Sequence, residues 1–178
     1  MRLFFVWLIG LPILFSCSPN LTPMTNSIVK DMRWGEDEFR RIQFYLSDDI
    51  VLRREVRSGD ASIREGKVKL VNGRKIEEII FEKGTPGVFE FSPDGKDVAI
   101  SFERGGDNRY LMFGPNPKYN DRYVLLARDW DRRKGQITYD GKTYNTSSES
   151  AFASLMIDLE RARKSVVESR KARGRTVN

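Results

Sequence analysis

The chain has 178 residues, 31 Lys and Arg against 25 Asp and Glu, a net charge of +6, and no histidine. The missing histidine excludes Ser-His-Asp triads, Cys-His pairs and His-ligated zinc or iron, which leaves carboxylates, Lys, Tyr or Ser for any catalysis. Hydrophobic residues at 39% and charged residues at 31% suit a folded domain with one core rather than a disordered chain.

At the N-terminus a single cation, Arg2, precedes the apolar run Leu3–Phe15, which Gly10 and Pro12 interrupt. The run is shorter than the roughly 20 residues a spanning helix needs, so its length and order fit a cleaved export signal. It ends at Leu14-Phe15-Ser16-Cys17, with an aliphatic residue three before the only cysteine and a small residue one before it. This ending resembles the lipobox of bacterial lipoproteins. The resemblance implies a signal over 1–16, cleavage after Ser16, and a mature chain that starts at Cys17 with two or three acyl chains. One acyl chain binds only marginally, and two or more anchor stably. Ser18, rather than Asp, follows the cysteine, and under the sorting rules of such proteins this implies the outer membrane; the domain is expected on its periplasmic face. The thiol would be consumed, leaving none for a disulfide or a metal.

Ser18 to about Met32 carries Pro19, Pro23 and several Ser, Thr and Asn, and reads as a tether; we take 17–35 as the lipidated cysteine with its tether and 36–160 as the globular domain. From Arg40 the pattern turns to period two. Ile42, Phe44 and Leu46 alternate with polar neighbours, Ser47-Asp48-Asp49 supplies a turn, and Ile50–Val56 forms a second strand. Lys67–Val71 and Arg74–Phe81 flank Asn72-Gly73, which accepts the positive φ of a type I′ hairpin turn. Gly84-Thr85-Pro86-Gly87 breaks the chain. Val88–Phe91 and Asp97–Glu103 then flank Pro93-Asp94-Gly95. The stretch Phe91-Ser92-Pro93-Asp94-Gly95-Lys96-Asp97-Val98-Ala99 resembles the strand–turn–strand signature of β-propeller repeats. It occurs once, whereas a propeller needs several copies at roughly 40-residue spacing, so it reads as a hairpin.

Further strands are expected at Arg109–Phe113, Arg122–Ala127, Gln136–Tyr139 and Lys142–Tyr144, the last two joined by Asp140-Gly141. Turn signals about every ten residues, without crossover helices, predict a mainly β fold: an antiparallel sandwich, or a small barrel or roll. Thr146-Ser147-Ser148-Glu149 fits a capping box, and Phe152, Leu155, Met156, Leu159, Ala162 and Val166 follow at helical spacing. A C-terminal helix is therefore predicted, against a competing strand reading in which Leu155, Ile157 and Leu159 alternate. Residues 161–178 form a basic tail: Arg161, Arg163, Lys164, Arg170, Lys171, Arg173 and Arg175 are candidates for contact with an anionic surface.

No catalytic kit stands out. Asp48-Asp49 and Asp129-Trp130-Asp131 are carboxylate pairs, and the second, beside a ring, could describe a glycan hydrolase. The arginines Arg128, Arg132 and Arg133 around it favour surface ion pairing instead. Arg104-Gly105-Gly106-Asp107 matches neither a Walker loop nor a dinucleotide fingerprint. Trp34, Pro115, Pro117, Tyr119 and Trp130 are the candidate partner contacts, because rigid loops with amphipathic rings are favoured at interfaces. No cofactor or metal is implied, and the export signal argues against nucleic acid as a ligand. The expected role is binding or scaffolding within an envelope assembly for secretion, transport or outer-membrane biogenesis. The alternatives are a small barrel holding an apolar ligand and a carboxylate-dependent cell-wall hydrolase.

Overall fold

A computed structural model describes residues 20–56, 67–71, 73–106, 108–131 and 134–166. In chain order it contains β1 (Leu21–Pro23), α1 (Asn26–Met32), α2 (Glu36–Phe39), β2 (Phe44–Leu46), β3 (Ile50–Glu55), β4 (Lys67–Val71) and β5 (Arg74–Phe81). There follow β6 (Pro86–Phe91), β7 (Val98–Ser101), β8 (Leu111–Asn116), β9 (Arg122–Leu125), β10 (Arg128–Asp131), β11 (Lys134–Tyr139), β12 (Lys142–Ser147), β13 (Leu155–Asp158) and α3 (Leu159–Val166).

The strands form two antiparallel sheets, as the turn spacing predicts. The first has the order β1-β13-β2-β6-β7-β8-β9 and the second β10-β11-β12-β3-β5-β4. Alternation decides which side of each strand faces inward: Phe44 and Leu46, Leu155 and Ile157, and Ile137 and Tyr139 are buried between the sheets. The architecture is a β-sandwich. The first sheet's last strand, β9, meets the opposite end through a few main-chain bonds, Tyr123 N–H to Met24 O just after β1 (3.0 Å) and Leu125 N–H to Ala153 O just before β13 (3.0 Å), without the ladder that would close a barrel.

Two of the predicted turns take their expected form, while Asn72 of the Asn72-Gly73 turn lies outside the described residues. Asp140 and Gly141 have φ of 49° and 70°, the paired positive values of a type I′ turn. The carboxylate of Asp94 accepts the N–H groups of Lys96 (2.9 Å) and Asp97 (2.7 Å), which locks the turn between β6 and β7.

Two expectations are corrected. The tether does not extend past Asn20. Leu21–Pro23 pairs with β13 in the register Leu21↔Asp158 to Pro23↔Met156, and Met24, Val29 and Trp34 are core residues. Thr25 caps α1 by accepting the Ile28 N–H, and Arg33, at φ 54°, ends it in a left-handed turn that sends Trp34 inward. The folded body therefore starts near Leu21, not at residue 36.

The C-terminal helix starts later than the capping box predicts. Thr146 is not a cap but a buried residue of β12 whose hydroxyl donates to Val51 O (3.0 Å). The competing strand reading holds for Leu155–Asp158. The helix begins only at Leu159, where the Asp158 carboxylate accepts the Arg161 N–H (3.0 Å). In that helix Arg161, Arg163 and Lys164 are exposed, whereas Ala162 is buried. Residues 1–16, Cys17, Arg170, Lys171, Arg173 and Arg175 lie outside the described residues. Among the described residues no helix is long and apolar enough to cross a membrane.

Candidate functional site

The hairpin between β8 and β9 builds one end of the molecule. After Gly114-Pro115, the Asn116 side chain accepts the Lys118 N–H (3.0 Å) and starts a 3-10 turn over Pro117–Tyr119. Asn120 and Asp121 then reverse the chain with φ of 55° and 53°. Polar residues with short side chains tolerate this left-handed region better than others do.

A second turn, Ser150–Phe152, lies alongside. It is pinned to β3 because the Ser150 hydroxyl accepts the Val51 N–H (3.3 Å), and Ser150 itself is buried. Phe152 is 56% exposed, the most exposed large hydrophobic side chain among those described. Its ring packs on Tyr119 with centroids 5.6 Å apart, and the Arg122 guanidinium lies 5.0 Å from the Tyr119 centroid on its own side. A hollow of about 370 Å³ opens beside them, lined by Pro115, Pro117, Val124, Leu126, Ala151 and Phe152. Of the sequence-derived contacts, Pro115, Pro117 and Tyr119 thus meet in one patch. Trp34 does not join it: it is 7% exposed and serves the core. The Trp130 side chain lies outside the described residues. Phe152 and Arg122 were missed, because neither has a local signal; the Ser150–Phe152 turn and the β8–β9 hairpin bring them together.

The outer face of the second sheet carries a larger groove, about 760 Å³, with Val51 and Ile76 on its floor and Arg53, Glu55, Glu78 and Lys134 around it. Arg53 donates to Glu78 (2.6 Å). On the sheet's inner side Arg54 donates to Glu77 (2.5 Å), Lys142 stands 3.8 Å from the same carboxylate, and Arg54 lies over the Tyr144 ring. The carboxylate candidates have structural partners. Asp48 accepts the Ser47 hydroxyl and Asp49 the Lys83 N–H. Asp129, at φ 53°, sits in an irregular strand beside Arg128, so the alternation that would align it with Asp131 is broken. Among the described residues no three His, Cys, Asp or Glu side chains converge as metal ligands.

Three buried phenols are perturbed. Burial, then the charges of Asp97 and Asp94, pushes Tyr123 up to about 12. Burial and a hydrogen bond donated to Glu103 (2.8 Å) raise Tyr139, and burial with Glu77 nearby raises Tyr144. Each holds its proton in the fold after the unfolded chain would release it, so stability is intact below pH ~10 and falls as pH climbs toward 12. A pH titration should show phenolate absorbance from these three rising together with loss of the β circular dichroism signal. Their ionisation at pH ~10 with the dichroism unchanged would contradict the assignment.

No family model, characterised protein or solved structure matches the chain.

Proposed function

We propose that this chain is a lipoprotein of the bacterial outer membrane, anchored through Cys17, whose periplasm-facing sandwich binds other envelope proteins and performs no catalysis. The observation that carries the binding role is the patch of Phe152, Tyr119 and Arg122 beside a proline-walled hollow. A mostly exposed aromatic side chain flanked by a rigid turn and an arginine has the composition of an interface hot spot. Its place suits a docking role. From Ala153, next to Phe152, the chain runs through β13 to Asp158, which faces Leu21 at the end nearest the anchor. Six extended residue steps from Phe152 to Asp158 at ~3.3 Å each put the patch at most about 20 Å from that end. The exposed cations Arg161, Arg163 and Lys164 follow Asp158 directly, where anionic headgroups would attract them by about 1 kcal/mol each at low salt.

The test is affinity isolation of the tagged full chain from mildly solubilised membranes, beside the variants Phe152→Asp and Tyr119→Ser. The expected result is a stoichiometric protein partner with the wild type that both variants lose by tenfold or more while remaining folded. Recovery of the wild type alone, or equal recovery of the partner with both variants, overturns the reading.

A further inference from the structure

The first sheet turns an apolar row outward. Phe44, Leu46, Leu155 and Ile157 point into the core, so their strand neighbours Tyr45 and Met156 point away from it. The register places Pro23 opposite Met156, Met156 opposite Tyr45, and Tyr45 opposite Pro86. Residues directly opposite share a face, so four apolar side chains line up across β1, β13, β2 and β6, with Pro86 exposed and Pro23, Met156 and Tyr45 half-buried. Leu21 and Val88, two residues along β1 and β6, belong to the neighbouring row with Asp158 and Gln43 between them; Leu21 is half-buried, Val88 is 53% exposed, and the Gln43 amide is turned to the backbone, donating to the Phe44 (3.2 Å) and Gly87 (2.7 Å) carbonyls. Asp158, opposite Leu21, has its carboxylate turned to the helix that follows, where it accepts the Arg161 N–H.

Chain length says what covers this face. Only Ser18, Pro19 and Asn20 separate Cys17 from Leu21. At ~3.5 Å per residue the acylated cysteine can stand no more than about 14 Å from the first residue of β1. The row starts on that strand and crosses three inter-strand steps of ~4.8 Å, again about 14 Å. A leash this short holds the face near the bilayer at an effective concentration in the millimolar range, so weak affinity suffices. The chemistry matches: aliphatic side chains and a proline pair, with Tyr45 as an amphipathic ring suited to the headgroup boundary.

We propose that the outward face formed by Leu21, Pro23, Met156, Tyr45, Pro86 and Val88 lies directly on the lipid surface. This rests on the lipid-anchor reading. It fixes the domain's orientation, with the sheet face down and β13 lying along the surface.

The experiment uses the purified full chain, in vesicles of phosphatidylethanolamine and phosphatidylglycerol. With Cys17 acylated, an introduced cysteine is the only reactive thiol. Met156→Cys and Val88→Cys are labelled with a polarity-sensitive fluorophore, and Thr143→Cys, exposed on the outer face of β12, is the control. Two sites on the face guard against one variant failing to fold. We expect a lipid-borne quencher to dim the labels at 156 and 88 at least threefold more than the label at 143. Equal quenching at all three sites overturns the proposal while leaving the anchor intact. So does a label at 156 and 88 that is shielded from water yet insensitive to the lipid quencher, which would mean a second copy of this chain covers the face. The anchor itself is read separately, from the mass and the free-thiol titre of the wild type: a bare, reactive Cys17 removes the anchor and the proposal with it.

Discussion

Replacing Glu77 with alanine is expected to cost about 3–5 kcal/mol of unfolding free energy, the usual penalty for removing one partner of a buried ion pair. Glu77 is 2% exposed, and its carboxylate takes the Arg54 guanidinium and the Lys142 ammonium from two different strands, β3 and β12. Without it, two cations remain close to each other beside the Tyr144 ring in poorly solvated surroundings. The cost is mostly desolvation that the carboxylate had offset. Two comparisons isolate that cause. Glu55→Ala removes a pair with Arg74 whose side chains are 52% and 68% exposed, and should cost less than about 1 kcal/mol. The double variant Glu77→Leu with Arg54→Met replaces both charges with apolar volume and should recover much of the loss. Urea unfolding of the four proteins measures this. Glu77→Ala within 1 kcal/mol of the wild type would mean the pair is hydrated in solution.

Where the sequence was legible, local physics sufficed. Asn72-Gly73, Pro93-Asp94-Gly95 and Asp140-Gly141 each stand between strands that pair in antiparallel register. Period-two alternation marked β2, β3, β11 and β12, because one face of each strand is buried. Which sheet a strand joins was not legible. β2 and β3 are separated by Ser47-Asp48-Asp49 alone, yet they enter different sheets, and the turn carries the chain across the sandwich. The capping-box signature at Thr146-Ser147-Ser148-Glu149 misled for a related reason. A threonine hydroxyl satisfies a helix N–H or a neighbouring strand's carbonyl equally well, and here Val51 O was the partner. The true helix start, Asp158, was hidden behind a strand of only four residues. The candidate site was half visible. Its turn residues Pro115, Pro117 and Tyr119 were legible as a rigid loop, but Phe152 reaches Tyr119 only through tertiary packing, and Trp34 looked exposed because its surroundings are polar.

A chain starting at Glu36, the boundary that composition suggested, is expected not to fold, whereas a chain starting at Asn20 should match the full-length domain. Met24, Val29, Trp34 and Phe39 follow one another at intervals of five residues, a spacing that belongs to neither a strand nor a helix. That is why this segment resembles a tether. In the fold all four are buried, and Phe39 packs against the Phe44 and Phe89 rings. Starting at Glu36 deletes three of the four. At ~1.5–3 kcal/mol per buried side chain this removes roughly 5–9 kcal/mol, comparable to the whole stability of a typical domain at ~5–15 kcal/mol. It also strips β13 of its partner β1 and removes the main-chain acceptor that Met24 offers Tyr123. Circular dichroism and gel filtration distinguish the two chains. A folded, monomeric product from Glu36 would return residues 18–35 to the role of a spacer. The domain could then stand about 65 Å from the acylated cysteine at ~3.5 Å per residue, and no face of it would be held against the bilayer. Failure of that chain, with success from Asn20, leaves three residues to span the gap, and so ties the orientation of the sandwich to the folding of its first strand.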